Sequence, residues 1–200
     1  MANGLKSALP KNALHLCVDM QRLFAEDTAW RTPWMNRVLP RVLEICASHP
    51  DRNWFTRFIP AVSPDEAEGV WRDYWIKWRN MTLKQTGAGM VELIDALQPF
   101  AARGRVFDKR VYSPWLTPEL EAAIRSHEID TLIISGAETD VCVLATVLGG
   151  VDRGLRLIVV TDALCSSSDE SHDALIDLYR RRYSAQIETV DTAALLTNWL

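Results

Sequence analysis

The stretch Thr131-Leu132-Ile133-Ile134-Ser135-Gly136-Ala137-Glu138-Thr139-Asp140-Val141-Cys142-Val143 holds a strand, a turn and the start of a helix in thirteen residues. Its apolar, β-branched opening suits a strand buried on both faces, and Gly136 interrupts it. Thr139 stands where a helix needs an N-cap, and helical periodicity then runs over 140–153. The same alternation extends in both directions. β-rich runs fall at Ala13–Asp19, Asn53–Phe58, Arg105–Lys109, Thr131–Ser135, Leu155–Thr161 and Gln186–Val190. Amphipathic stretches lie near 34–48, 65–79, 117–126, 140–153 and 168–183, with a last one after Asp191. Strand–helix alternation of this kind predicts an α/β fold of three layers, a mostly parallel sheet with helices on both faces. No stretch rich in Pro, Gly or Ser is long enough to be a linker, so residues 1–200 are read as one domain.

Composition narrows the classes of partner. Hydrophobic residues make up 48% and charged residues 24% of the chain, which suits a globular core and excludes disordered and collagen-like readings. The 22 Lys and Arg are interspersed with 26 Asp and Glu for a net charge of −4, so no basic field points to nucleic acid or an anionic membrane. The expected partner is a small molecule. No apolar run approaches the roughly 18 residues of a membrane helix. The opening Met1-Ala2-Asn3-Gly4-Leu5-Lys6-Ser7 lacks the apolar core of a signal peptide, and a cytoplasmic location is expected. Cys17, Cys46, Cys142 and Cys165 lie far apart, without the pairing or His spacing of a disulfide framework or zinc site.

In parallel sheets, reactive groups gather beyond the carboxyl ends of the strands. Three such ends here carry an acid (Asp19), a base (Lys109) and a thiol (Cys142). Capping by Thr139 would put Cys142 in a first helical turn, where free N–H groups favour a thiolate and could hold an oxyanion. Each residue also has a plain structural role open to it. Cys142 could be a small buried hydrophobe, Asp19 a turn residue and Lys109 a surface cation. Together they form a set, because an ammonium stabilises a thiolate and a carboxylate can move its proton. By strand alternation Lys109 faces away from Asp108 and Arg110.

Val18-Asp19-Met20-Gln21, Lys109 with Tyr112-Ser113-Pro114-Trp115, and Gly136-Ala137-Glu138-Thr139-Asp140-Val141-Cys142-Val143 occur in order. With these motifs the chain resembles the isochorismatase-like cysteine hydrolase superfamily, which includes nicotinamidases and N-carbamoylsarcosine amidases. The resemblance implies six parallel strands ordered 3-2-1-4-5-6 and an Asp19–Lys109–Cys142 triad. It also implies a cis peptide at Ala137–Glu138, with the N–H groups of Glu138 and Cys142 facing the oxyanion. The activity it implies is cleavage of a small amide, ureido or carbamoyl C–N bond through a thioester. Isochorismatase-type vinyl-ether hydrolysis and a non-catalytic binding protein on the same fold are the alternatives. Nicotinamidases carry an Asp-x-His and a second His after the second strand, whereas Asn53-Trp54-Phe55-Thr56-Arg57-Phe58-Ile59-Pro60 stands here. No metal and no cofactor are therefore expected.

For the substrate pocket, Phe24, Tyr112 and Trp115 are candidates because they follow the strand ends that bear Asp19 and Lys109. Trp71, Trp75 and Trp78 form a helical stripe with Tyr74 among them, mostly suited to core packing, with Trp75 taken as the pocket residue. Arg57 could anchor an anionic group or form a surface ion pair. Cys165, Cys17 and Cys46 read as structural, His172 as a helix-surface residue, and the serines at 166–168 as helix caps. Gly149-Gly150 inside a helix suggests close backbone packing. Edge strands and abundant surface tryptophan suggest a homo-oligomer, dimer or tetramer, as in many relatives.

Overall fold

The computed structural model describes residues 4–199; Leu200 and the first three residues of the segment read for a leader lie outside them. Six strands form one parallel sheet, β1 (Leu14–Val18), β2 (Asn53–Phe58), β3 (Arg105–Lys109), β4 (Thr131–Ala137), β5 (Arg156–Cys165) and β6 (Ile187–Val190). Their order is β3-β2-β1-β4-β5-β6, so the direction of winding reverses between β1 and β4. That reversal opens the crevice where ligands bind in such sheets.

β1 and β4 are buried throughout, as central parallel strands covered on both faces must be. Alternate side chains feed two apolar clusters. Cys17, Phe55 and Ile133 face the first, beneath α1 (Met35–Ser48), α2 (Val70–Lys77) and a later C-terminal helix, α6 (Thr192–Asn198). Leu16, Trp54 and Ile134 face the second, beneath α3 (Pro118–Ser126), α4 (Leu144–Asp152) and α5 (Asp169–Arg181). At the centre of the sheet His15 is fully buried: its Nδ1 lies 2.7 Å from Asn53 Oδ1 and its Nε2 2.7 Å from Ser135 Oγ. Asn53 gives its amide to the carbonyls of Cys46 and His49, so its oxygen accepts from Nδ1–H. Burial drives the His15 pKa down to about 4, against the pull of Asn53.

Several boundaries differ from the sequence reading. A register shift between Ile134 and Gly136 lets β4 and β5 pair again at Gly136–Leu164 and Ala137–Cys165. Both strands thus run further than expected, and Cys165 ends β5 instead of following it. Gly136 has φ +112°, and a Cβ there would stand 2.1 Å from the Val18 carbonyl oxygen. Only glycine lets β4 approach β1 this closely. The helix expected over 65–79 shrinks to Val70–Lys77 because Gly69, at φ +56°, breaks the chain before it. Gly149 is explained by packing, since a Cβ there would meet Trp115 Cδ1 at 2.1 Å. The tryptophans are not a surface feature: among the eight, Trp34 is the one classed as exposed. Among the described residues, no helix is long and apolar enough to cross a membrane.

Candidate active site

Asp19 is the first residue past β1, held at φ +49° with its N–H donating to the Thr56 carbonyl, so the chain turns its side chain inward. The Thr56 hydroxyl, on the neighbouring strand, donates to Asp19 Oδ1 at 2.6 Å. The other oxygen, Oδ2, lies 2.7 Å from Lys109 Nζ, and both side chains are only 1% exposed. Lys109 ends β3 and is buried, while Asp108 and Arg110 on either side are exposed, as alternation requires. Its Nζ also donates to Cys142 Sγ at 3.2 Å and to the Val111 carbonyl at 3.2 Å. Acid, base and thiol thus meet at the switch point of the sheet.

The thiol reaches this position through the turn that follows β4. The Ala137–Glu138 peptide bond is cis. Thr139–Val143 wind as a single wide π-type turn before α4 begins. Thr139 is not the cap: Glu138 occupies that position, and the Thr139 hydroxyl bonds the Cys165 carbonyl and lies 2.8 Å from His172 Nδ1. His172 is accordingly half-buried on α5 instead of lying on the surface. Ser166 donates to Asp140 Oδ1 at 2.6 Å, so β5 and α5 brace the turn from outside. Ser168 caps α5 by accepting from the Ser171 N–H.

Electrostatics departs from the expectation of a resting thiolate. Burial first, then the Asp19 carboxylate, push the Cys142 thiol well up, and Lys109 only partly opposes them. Burial also works against the Lys109 charge, but Asp19 and Cys142 more than offset it, so the ammonium persists. The arrangement thus disfavours the charged form of Cys142 and favours the charge on Lys109.

Cys142 forms part of the floor of a cavity of about 260 Å³. Phe24, Trp30, Phe58, Tyr74, Trp78 and Tyr112 wall it with aromatic rings, and Arg31, Glu138 and Ser167 supply its polar groups. Phe24 and Tyr112, candidates from the sequence, are among these lining residues. Three candidates are not. Arg57 is spent on Asp108, through a two-bond contact at 2.8 and 3.0 Å, and on Glu92 at 2.8 Å. Trp75 is 2% exposed and packs in the first core cluster, stacked on Phe58. Trp115 lies on the other side of the sheet, its indole N–H donating to the Thr146 carbonyl at 2.8 Å. Trp30 and Arg31 were missed, because nothing in their local sequence marks the loop after β1 as a wall. Trp30 contacts five rings, those of Phe24, Phe58, Tyr74, Trp75 and Trp78, at 5.7 to 6.1 Å between centroids. Thr56, which fixes Asp19, was missed too, although its pairing with Val18 puts it one step from that residue.

Among the described residues, no group of three or more His, Cys, Asp or Glu side chains is placed to hold a metal ion. Beyond β2 the chain presents Ile59, Pro60 and Ala61, which offer no metal-binding side chain, so the residues present do not fit a nicotinamidase-type metal.

A family model described as the isochorismatase domain matches residues 13–192. The chain belongs to the isochorismatase family. Among curated relatives, an uncharacterized isochorismatase family protein PncA of Bacillus subtilis is 30% identical over 80 residues, 40% of this chain and 44% of that protein. The matched stretch thus spans less than half of that relative's length. Among solved structures, a cysteine hydrolase from Pseudomonas syringae pv. phaseolicola 1448A superposes with a TM-score of 0.81 at 22% identity, covering 97% of this chain and 95% of that one. N-carbamoylsarcosine amidase from Thermoplasma acidophilum gives 0.72 at 22% identity, with 90% and 96% covered. Both share the isochorismatase-like fold with this chain.

Proposed function

We propose that this chain is a cysteine hydrolase that cleaves a C–N bond of a small amide, ureido or carbamoyl substrate. The observation that carries the reading is the chain of contacts from Asp19 through Lys109 to Cys142, which lines an aromatic-walled cavity. The names of the two structural neighbours, a cysteine hydrolase and an N-carbamoylsarcosine amidase, agree with it.

Asp19 takes the thiol proton as general base, and Lys109 stabilises the sulfur anion as it forms. Starting from a neutral thiol avoids holding a second buried anion beside Asp19 before substrate arrives. Cys142 Sγ attacks the carbonyl carbon, and the N–H groups of Glu138 and Cys142 receive the charge that develops on its oxygen. The C–N bond breaks as Asp19 returns the proton to the departing nitrogen, leaving a thioester. Water, deprotonated by the same carboxylate, attacks the thioester; the carboxylic acid leaves and the proton returns to the sulfur. The cavity's size selects a small substrate.

Ammonia release from a panel of amides and ureas tests this reading, with Cys142→Ala as control. Turnover in the parent and none in the variant is the expected result. Equal hydrolysis by both, or pyruvate release from isochorismate in place of ammonia, would overturn it. A homo-oligomer also remains part of the proposal, supported by the exposed Val70 and Leu116, and light scattering of the purified chain checks it.

A further inference from the structure

The cavity has two charged side chains that no opposite charge neutralises. Arg31 lies at the exposed rim, and its guanidinium has no ion pair or hydrogen bond among the described residues. The other cations nearby are committed: Lys109 to Asp19 and Cys142, Arg57 to Asp108 and Glu92, Arg110 to Glu66, and Arg22 to Glu26. Deeper in, Glu138 Oε1 accepts from the Ser167 N–H at 2.9 Å and the Thr32 hydroxyl at 3.4 Å. Those two bonds fix the carboxylate in the wall beside Cys142 and leave Oε2 to accept from a ligand. Aromatic rings line the rest of the wall.

We infer that Arg31 is a specificity-determining residue, and that the substrate is a small amide or urea carrying a carboxylate at the end away from its scissile carbonyl. This rests on the hydrolase reading above. The planar guanidinium pairs with a carboxylate through two parallel hydrogen bonds, and holding that group at the rim sends the rest of the molecule inward. Glu138 Oε2 accepts from the amide or ureido N–H, which turns the carbonyl carbon toward Cys142. A cationic substrate would be repelled at the rim, and a neutral one would gain nothing from Arg31.

The test compares 3-ureidopropionate with propylurea, and succinamate with butyramide, each pair differing chiefly in the carboxylate. Loss of one charge-assisted pair corresponds to about 10- to 100-fold in affinity. In the parent protein, kcat/KM for the carboxylates should exceed that for the neutral partners by about that factor. Arg31→Leu should collapse the ratio toward one through KM, and Arg31→Lys should restore part of it. Fluorescence titration of Cys142→Ala protein, read from Trp30 and its neighbours, follows binding whether or not turnover occurs. Equal binding of charged and neutral partners, or a preference that survives in Arg31→Leu, would make Arg31 a solvated surface cation and overturn the inference. Selective, Arg31-dependent binding with no ammonia release from any compound would instead uphold the anchor and overturn the hydrolase reading.

Discussion

Lys109 Nζ stands 2.7 Å from Asp19 Oδ2 at the meeting point of three strand ends, with water excluded from both side chains. Removing one member of a buried pair leaves the other charge uncompensated, at a cost of about 3–5 kcal/mol. Lys109→Met should therefore lower stability by that order and abolish turnover. Adding Asp19→Asn to it should recover much of the stability and none of the activity. Urea melts of the parent, both single variants and the double variant measure this coupling; additive losses would argue against it.

The charges around Cys142 give a second expectation with opposite signs for two variants. Asp19 pushes the thiol up and Lys109 pulls it down. Asp19→Asn should therefore shift the pH profile of Cys142 alkylation to lower pH, although the variant cannot turn over substrate. Lys109→Met should shift it higher. Alkylation by iodoacetamide, followed at the Cys142 peptide by mass spectrometry, reads both shifts.

His15 makes stability depend on pH in a window separate from the carboxylates. It is neutral in the folded chain down to about pH 4, whereas an unfolded histidine takes its proton near 6.5. The unfolded state thus binds more protons, and stability falls as pH drops from about 6.5 to 4, by about 3 kcal/mol at most. Denaturation midpoints across that range should show the fall, and His15→Gln should flatten it.

Gly136 sets the distance between the strands that carry Asp19 and Cys142. A methyl group there would collide with the Val18 backbone, which cannot swing aside as a side chain can. Gly136→Ala should cost about 1–3 kcal/mol or more and depress kcat by displacing Asp19. Thermal melts with steady-state kinetics check both effects, and a variant with parental kcat would show that this close approach is not needed.

Trp30 joins five rings of the pocket and core. Trp30→Ala should raise KM by an order of magnitude or more and lower stability by about 3–5 kcal/mol, the usual cost of truncating a large packed aromatic. Kinetics and urea melts separate the two contributions.

The sheet was legible because β-branched runs and glycine breaks report directly on strands buried on both faces. Asp19, Lys109 and Cys142 were legible for a related reason: strand ends of a parallel sheet converge, so position along the chain stands in for position in space. The wall residues escaped because loop geometry decides them. Trp75 and Trp78 share a helical stripe, yet the helix stops at Lys77, so Trp78 leaves it at ψ +36° and reaches the cavity while Trp75 stays in the core. Trp115 shares a strand end with Lys109, but the tight turn at Pro114–Leu116, with Ser113 accepting from the Trp115 N–H, carries it to the opposite face. Arg57 sits directly across from Asp108 in the β2–β3 register, a pairing that sequence alone does not reveal.

The Cys142 sulfur belongs to the packing on one side of the sheet, while Phe24, Phe58, Trp30, Tyr74 and Trp78 belong to the packing on the other. Such an arrangement is modular. Changes at Trp30 or Trp78 would reshape the cavity from the first core cluster, at a cost in stability, while Cys142 keeps its place in the second.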